Sequence, residues 1–124
     1  MILLDTNYLI KALAPGTDEA ADVRRWIEQE KELVTSVVCW YEFLCGPVDI
    51  KGKELMQSIV KGRIIPFAAD QAVEAARLFY LAGRKRSLRV DSMIAAAALL
   101  NKAVLATDNR RDFSSFVKQG LVVI

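Results

Sequence analysis

Four acidic residues stand where an apolar run of this chain gives way to a segment of helical spacing, or just inside such a segment. Asp5 closes "MILLD", Glu42 lies within "CWYEFLCG", Asp91 opens "DSMIAAAALL", and Asp108 follows "VLAT" with Asn109 beside it. Carboxylates crowded together raise one another's pKa unless a cation neutralises them, and oxygen ligands alone select Mg²⁺ or Mn²⁺ over zinc. Metal ligation is the chemistry such a set could support. Taken singly, each acid has a plainer role. Asp5 and Asp91 suit helix N-caps, Asp108 suits a turn, and Glu42, flanked by Trp40, Tyr41, Phe43 and Leu44, could pair with an Arg. Four such coincidences at one edge are less economical than one site, so the elements that carry the acids decide the matter.

Short β-prone runs occur at Ile2–Leu4, Leu33–Thr35, Arg63–Ile65, Val104–Ala106 and Leu121–Ile124. Helical spacing fills the intervals: Asn7–Ala14, Asp18–Glu30 with Trp26 and Ile27 inward, Val37–Cys45, Ile50–Lys61, Ala69–Gly83 and Ser92–Asn101. The strands are continuously apolar, as parallel strands covered on both faces are, so the alternation predicts an α/β fold with a central parallel sheet flanked by helices. In such a sheet the strand C-termini and helix N-termini share one edge, where α/β folds bind ligands. Asp5 and Asp108 end strands at that edge and Asp91 opens a helix there. Glu42 lies six residues beyond the expected N-cap Ser36, roughly 9 Å down its helix. The stretch "SMIAAAALL" is apolar all round and must be packed on several faces.

Composition narrows the chemistry further. The chain has 124 residues and no His, which removes Ser-His-Asp and Cys-His catalysis, His-ligated zinc and imidazole acid–base pairs. Its length suits one domain over residues 1–124. Cys39 and Cys45 are six apart on one helix, too far for a disulfide, and read as two buried thiols. The net charge of +2 advertises no polyanion partner, yet "GRKRSLR" concentrates Arg84, Lys85, Arg86 and Arg89. No apolar run approaches the roughly 20 residues of a membrane span, and the start carries no secretion signal, so a cytoplasmic location without membrane contact is expected.

The motifs resemble those of PIN-domain proteins of the VapC toxin type, and the resemblance spans the chain. "LLDTN" resembles the first motif of that family, "WYEFLCG" the second, "RVDSMIAAAA" the third and "LATDNRRDF" the fourth. It implies an acidic core of Asp5, Glu42 and Asp91, a fourth contribution from Asp108, Asn109 or Asp112, and strand order 3-2-1-4-5. It further implies ribonuclease activity as the toxin of a type II toxin–antitoxin pair, homodimerisation, and inhibition by a cognate VapB-like antitoxin.

The chemistry that suits these residues is hydrolysis of an RNA phosphodiester by water activated on Mg²⁺ or Mn²⁺. Asp5 and Asp91 are expected as direct ligands, Glu42 as ligand or orienter of the water, and Asp108 or Asn109 as support for a second ion. Thr6, Asn7, Ser92, Thr107 and Asp112 would surround them with hydrogen bonds. Arg84, Lys85, Arg86 and Arg89 could hold RNA phosphates. Two rivals are weaker. An aspartyl-phosphate phosphatase needs a second Asp two residues after the first, where Asn7 stands. A receiver-like or scaffolding module binding a structural cation has no use for Glu42.

Overall fold

Ile2, Leu3 and Leu4 form strand β1 (Ile2–Leu4), and all three are buried although alternate residues face opposite sides of the sheet. Both faces are therefore covered, which is why the run carries no polar alternation. The computed structural model describes residues 1–124. β1 is followed by α1 (Thr6–Lys11) and α2 (Asp18–Glu28), then β2 (Leu33–Ser36), α3 (Val37–Cys45) and α4 (Ile50–Ile59). Next come β3 (Ile64–Ile65), α5 (Ala69–Leu81), a 3₁₀ turn (Arg86–Leu88), α6 (Arg89–Leu100), β4 (Val104–Ala106) and α7 (Arg110–Val117).

The sheet is parallel throughout, in the order β3-β2-β1-β4. β1 sits at the centre, with Ile2 opposite Leu33 of β2 and Val104 of β4. The expected fifth strand is reduced to one parallel bridge, Leu105 to Val123, beside β4. Only Leu105 exchanges backbone bonds with it, to Val122 and Ile124, both 2.8 Å. The order 3-2-1-4-5 is thus corrected to four strands with a single-bridge extension at the fifth position.

Four helices start on side-chain caps that the sequence supplies. Asp5, Thr17, Ser36 and Asp49 accept the N–H of Thr6, Ala20, Cys39 and Gly52 respectively. Ala95, Ala96, Ala97 and Ala98 of α6 are all buried, as an all-round apolar helix requires, and their small side chains let α5 and β4 pack close. Trp26 faces the core, but its neighbour Ile27 is exposed. The sequence pattern predicts no helix over Arg110–Val117, where α7 forms. Its apolar stripe is short, Phe113 and Phe116 at a spacing of three, yet both rings are wholly buried against the core.

β2 passes into α3 without a loop, β1 passes through Asp5 into α1, and β4 ends one residue before Thr107. These junctions, with the first turns of α6 and α7, form the carboxyl edge of the sheet.

Candidate active site

Asp5 is 4 % exposed, and both oxygens of its carboxylate are engaged. It is the N-cap of α1, with Oδ1 accepting the Thr6 N–H at 2.8 Å. The Cys39 thiol donates to the same oxygen across 3.6 Å. Oδ2 accepts the Thr107 hydroxyl at 2.6 Å and the Asn7 amide at 3.4 Å. The cap explanation and the site explanation therefore coexist: Thr107, a hundred residues on, has no part in capping α1. Thr107 also accepts the Asn109 N–H, and Asn7 Oδ1 accepts the Asp108 N–H. Asn7 and Thr107 thus tie the β4–α7 turn to Asp5.

Thr6 links the first acid to the second. Its N–H serves Asp5 and its hydroxyl donates to Glu42 Oε1 at 2.9 Å. Glu42 is exposed on α3, not enclosed by its bulky neighbours. Tyr41 and Leu44 are themselves exposed, so the argument from an apolar surrounding fails while the placement beside Thr6 stands.

Asp91, in the first turn of α6, is no N-cap; Leu88 holds that position. Its carboxylate accepts no hydrogen bond and meets no cation. Burial is the main cause that pushes its pKa up to about 6, followed by the negative charges of Asp112, Asp5 and Glu42. Four acids therefore share one field, and the strongest charge acting on Asp91 comes from Asp112. No three of them close tightly enough to cage an ion by themselves. The donor set nevertheless fits a hard dication. It is all oxygen, contains no Lys or Arg, and holds Asp91 above its ordinary pKa; Mg²⁺ in particular keeps several waters and needs only one or two carboxylates.

Asp108 goes elsewhere. Its carboxylate pairs with Lys11 Nζ at 2.9 Å, and Lys11 also reaches Glu19 at 3.6 Å. Asp108 is absent from the charges that act on Asp91. Asn109 is the N-cap residue of α7, but its side chain caps nothing. Ser92 is buried and donates to the Arg89 carbonyl one turn back, not to an acid. Of the surrounding residues expected, Thr6, Asn7 and Thr107 touch acids, and Asp112 joins the acids themselves.

Arg84, Lys85, Arg86 and Arg89 are all exposed. The Arg89 guanidinium lies 5.8 Å over the Phe79 ring. Two residues from Asp91 on one helix, Arg89 points roughly 200° away from it. The expected pair of buried thiols is half right: Cys39 is buried, Cys45 exposed, and both are free. Sequence reasoning missed the contact between Cys39 and Asp5. The available signal was Ser36, whose cap fixes the residue three positions on at the strand ends.

Fold and edge define an α/β domain whose parallel sheet gathers histidine-free acids at its strand ends. Residues 2–118 match the sequence model of the PIN domain, and the chain belongs to the PIN-domain family. Several solved structures share the fold. FitAcB from Neisseria gonorrhoeae is 26 % identical with a TM-score of 0.72, the match covering 100 % of this chain and 96 % of that one. A toxin–antitoxin complex from Klebsiella pneumoniae is 22 % identical, with a TM-score of 0.76 and the same coverage of 100 % and 96 %. VapBC2 from Rickettsia felis, bound to a promoter DNA fragment, is 23 % identical with a TM-score of 0.68, covering 100 % and 98 %. No curated protein sequence gives a significant match. No helix is long and apolar enough to cross a membrane.

Proposed function

We propose that this protein is a metal-dependent endoribonuclease and the toxin of a type II toxin–antitoxin pair. One observation carries the reading: Asp91 stands without a partner in the field of Asp5, Glu42 and Asp112, at the carboxyl edge of a PIN-domain sheet. Acids that repel one another at a folding cost are retained where a dication offsets the repulsion.

Asp5 and Asp91 would hold Mg²⁺ or Mn²⁺. When bound, that ion would supply Lewis acidity at the phosphate and ease deprotonation of the attacking water. Glu42, exposed and anchored by the Thr6 hydroxyl, is placed to ligate or to orient the water. Of the three candidates for the fourth position, Asp108, Asn109 and Asp112, it is Asp112 that would take it and, with Glu42, support a second ion. Thr107, Asn7 and Thr6 fix Asp5, so its geometry is set before the ion arrives. Arg84, Lys85 and Arg86 would meet RNA phosphates approaching that edge, while Arg89 is held at Phe79.

The solved structures that share the fold include toxin–antitoxin complexes, which supports an antitoxin partner for this chain. An open groove of about 450 Å³ between α1, α3 and α4, lined by Ile10, Leu13, Phe43, Pro47, Val48 and Leu55, offers apolar surface for such a segment. An antitoxin Arg reaching the acids would form charge-assisted bonds in place of the metal. Homodimerisation and a cytoplasmic setting belong to the same reading.

Purified protein should cleave total cellular RNA with Mg²⁺ or Mn²⁺, lose activity in EDTA, and regain it when metal is restored. Asp91→Asn should be inactive, and co-purified antitoxin should suppress the wild type. Intact RNA in every metal would refute the assignment and favour a module that binds only a structural cation.

A further inference from the structure

Cys39 is wholly buried at the start of α3, with Sγ 3.6 Å from Asp5 Oδ1. The cap that begins this helix fixes its place, since Ser36 Oγ accepts the Cys39 N–H at 3.1 Å. The other oxygen of Asp5 accepts from Thr107, 2 % exposed, and more distantly from the Asn7 amide. Each carboxylate oxygen thus has a donor that comes from the protein interior. A carboxylate offers about four lone-pair directions and Asp5 already has four donors, so a dication arriving from solvent would replace the long Asn7 contact while Cys39 and Thr107 hold the carboxylate from the interior. A thiol is a weak donor and takes little of the oxygen's basicity, which suits an oxygen that must also bind a cation.

We infer that Cys39 is a positioning residue for Asp5: its thiol donates to Oδ1 from within the core, and with Thr107 it fixes the plane in which the carboxylate presents itself to a dication. The inference rests on the reading of Asp5 as a metal ligand. Plain packing is the competing explanation, and a side chain of similar bulk without a donor separates the two. Cys39→Val removes the S–H with a compact apolar side chain, about one methyl group larger. Cys39→Ser keeps a donor and loses apolar surface.

Mn²⁺ binding to the purified protein, followed through the electron paramagnetic resonance of the free ion, is the measurement, with metal-free melting curves as the control for folding. Cys39→Val should weaken Mn²⁺ binding by about tenfold, at the low end of what the loss of a partner to a metal ligand costs, while Cys39→Ser stays within about threefold of wild type. Metal-free melting curves should show both variants folded, so that a loss of Mn²⁺ affinity is not a loss of structure. Val binding Mn²⁺ as tightly as wild type, or Ser binding as weakly as Val, overturns the positioning role and leaves the metal reading intact. Absence of saturable binding in the wild type overturns both.

An infrared measurement needs no change at Cys39. With Cys45→Ser removing the other thiol, the S–H stretch should lie lower in the wild-type site than with Asp5→Asn. A band that does not move between the two refutes the hydrogen bond.

Discussion

Replacing Asp91 by Asn should stabilise the metal-free protein while abolishing its activity. The carboxyl titrates at about 6 in the folded chain against an ordinary 3.8, through burial first and then the charges of Asp112, Asp5 and Glu42. Between those two pH values the folded state binds more protons than the unfolded one, so stability falls as pH rises through the window. The gap of about 2 units corresponds to about 3 kcal/mol at full strength. Asp91 is only half-buried, and solvent screening reduces this to about 1–1.5 kcal/mol. Asn keeps the shape and carries no charge, so the penalty vanishes at every pH. Urea unfolding in EDTA should show the two proteins equal near pH 3.5, with Asp91→Asn about 1–1.5 kcal/mol more stable at pH 7.5. That corresponds to a rise of about 4–6 °C in melting temperature. Saturating Mn²⁺ should narrow or reverse the order, since only the wild type gains binding energy. A variant no more stable than wild type at pH 7.5, or a difference that does not grow with pH, would refute the picture of Asp91 as a charge held against its own repulsion.

The remaining expectations concern the neighbours of Asp91 and the products. Asp108→Asn should leave RNA cleavage near the wild-type rate because its carboxylate is committed to Lys11, whereas Asp112→Asn should slow it by about tenfold or more. Steady-state cleavage assays on both variants check this, and equal losses would mean that the β4–α7 turn rearranges when metal binds. Thr107→Val keeps the shape but strips Asp5 of its shortest hydrogen bond, and should cost about 1–3 kcal/mol in urea unfolding. No loss there would show that Asp5 does not depend on that cradle. Finally, a chain without His has no imidazole to assist attack by the 2′-hydroxyl, so under the proposed function water would be the nucleophile, and end-group analysis should find 5′-phosphate and 3′-hydroxyl termini. Cyclic 2′,3′-phosphates would exclude that route.

Much of this molecule is a local matter, and the sequence by itself determined it. Continuous apolar runs at Ile2–Leu4 and Val104–Ala106, set between helical segments, read as strands covered on both faces, and Ser36 announces the start of α3 through a cap that needs no distant partner. Asp5, Glu42 and Asp91 were legible as a set because strand and helix ends in a parallel sheet fall on one edge whatever the packing details. Tertiary structure alone decided where side chains turn once they reach that edge. Asp108 and Asp112 are the same residue type, four residues apart. The first turns away because Lys11, distant in sequence, reaches it, and the second joins Asp91 because Phe113 and Phe116 sink into the core and orient α7. The same holds for Glu42, whose exposure depends on what covers α3 and not on its neighbours along the chain. Cys39 and Cys45 differ in the same way, since six residues along α3 turn them to opposite fates, one against Asp5 and one to solvent. Backbone periodicity is written in residues a few positions apart, whereas the direction of a polar side chain at a site is set by partners that only folding brings near.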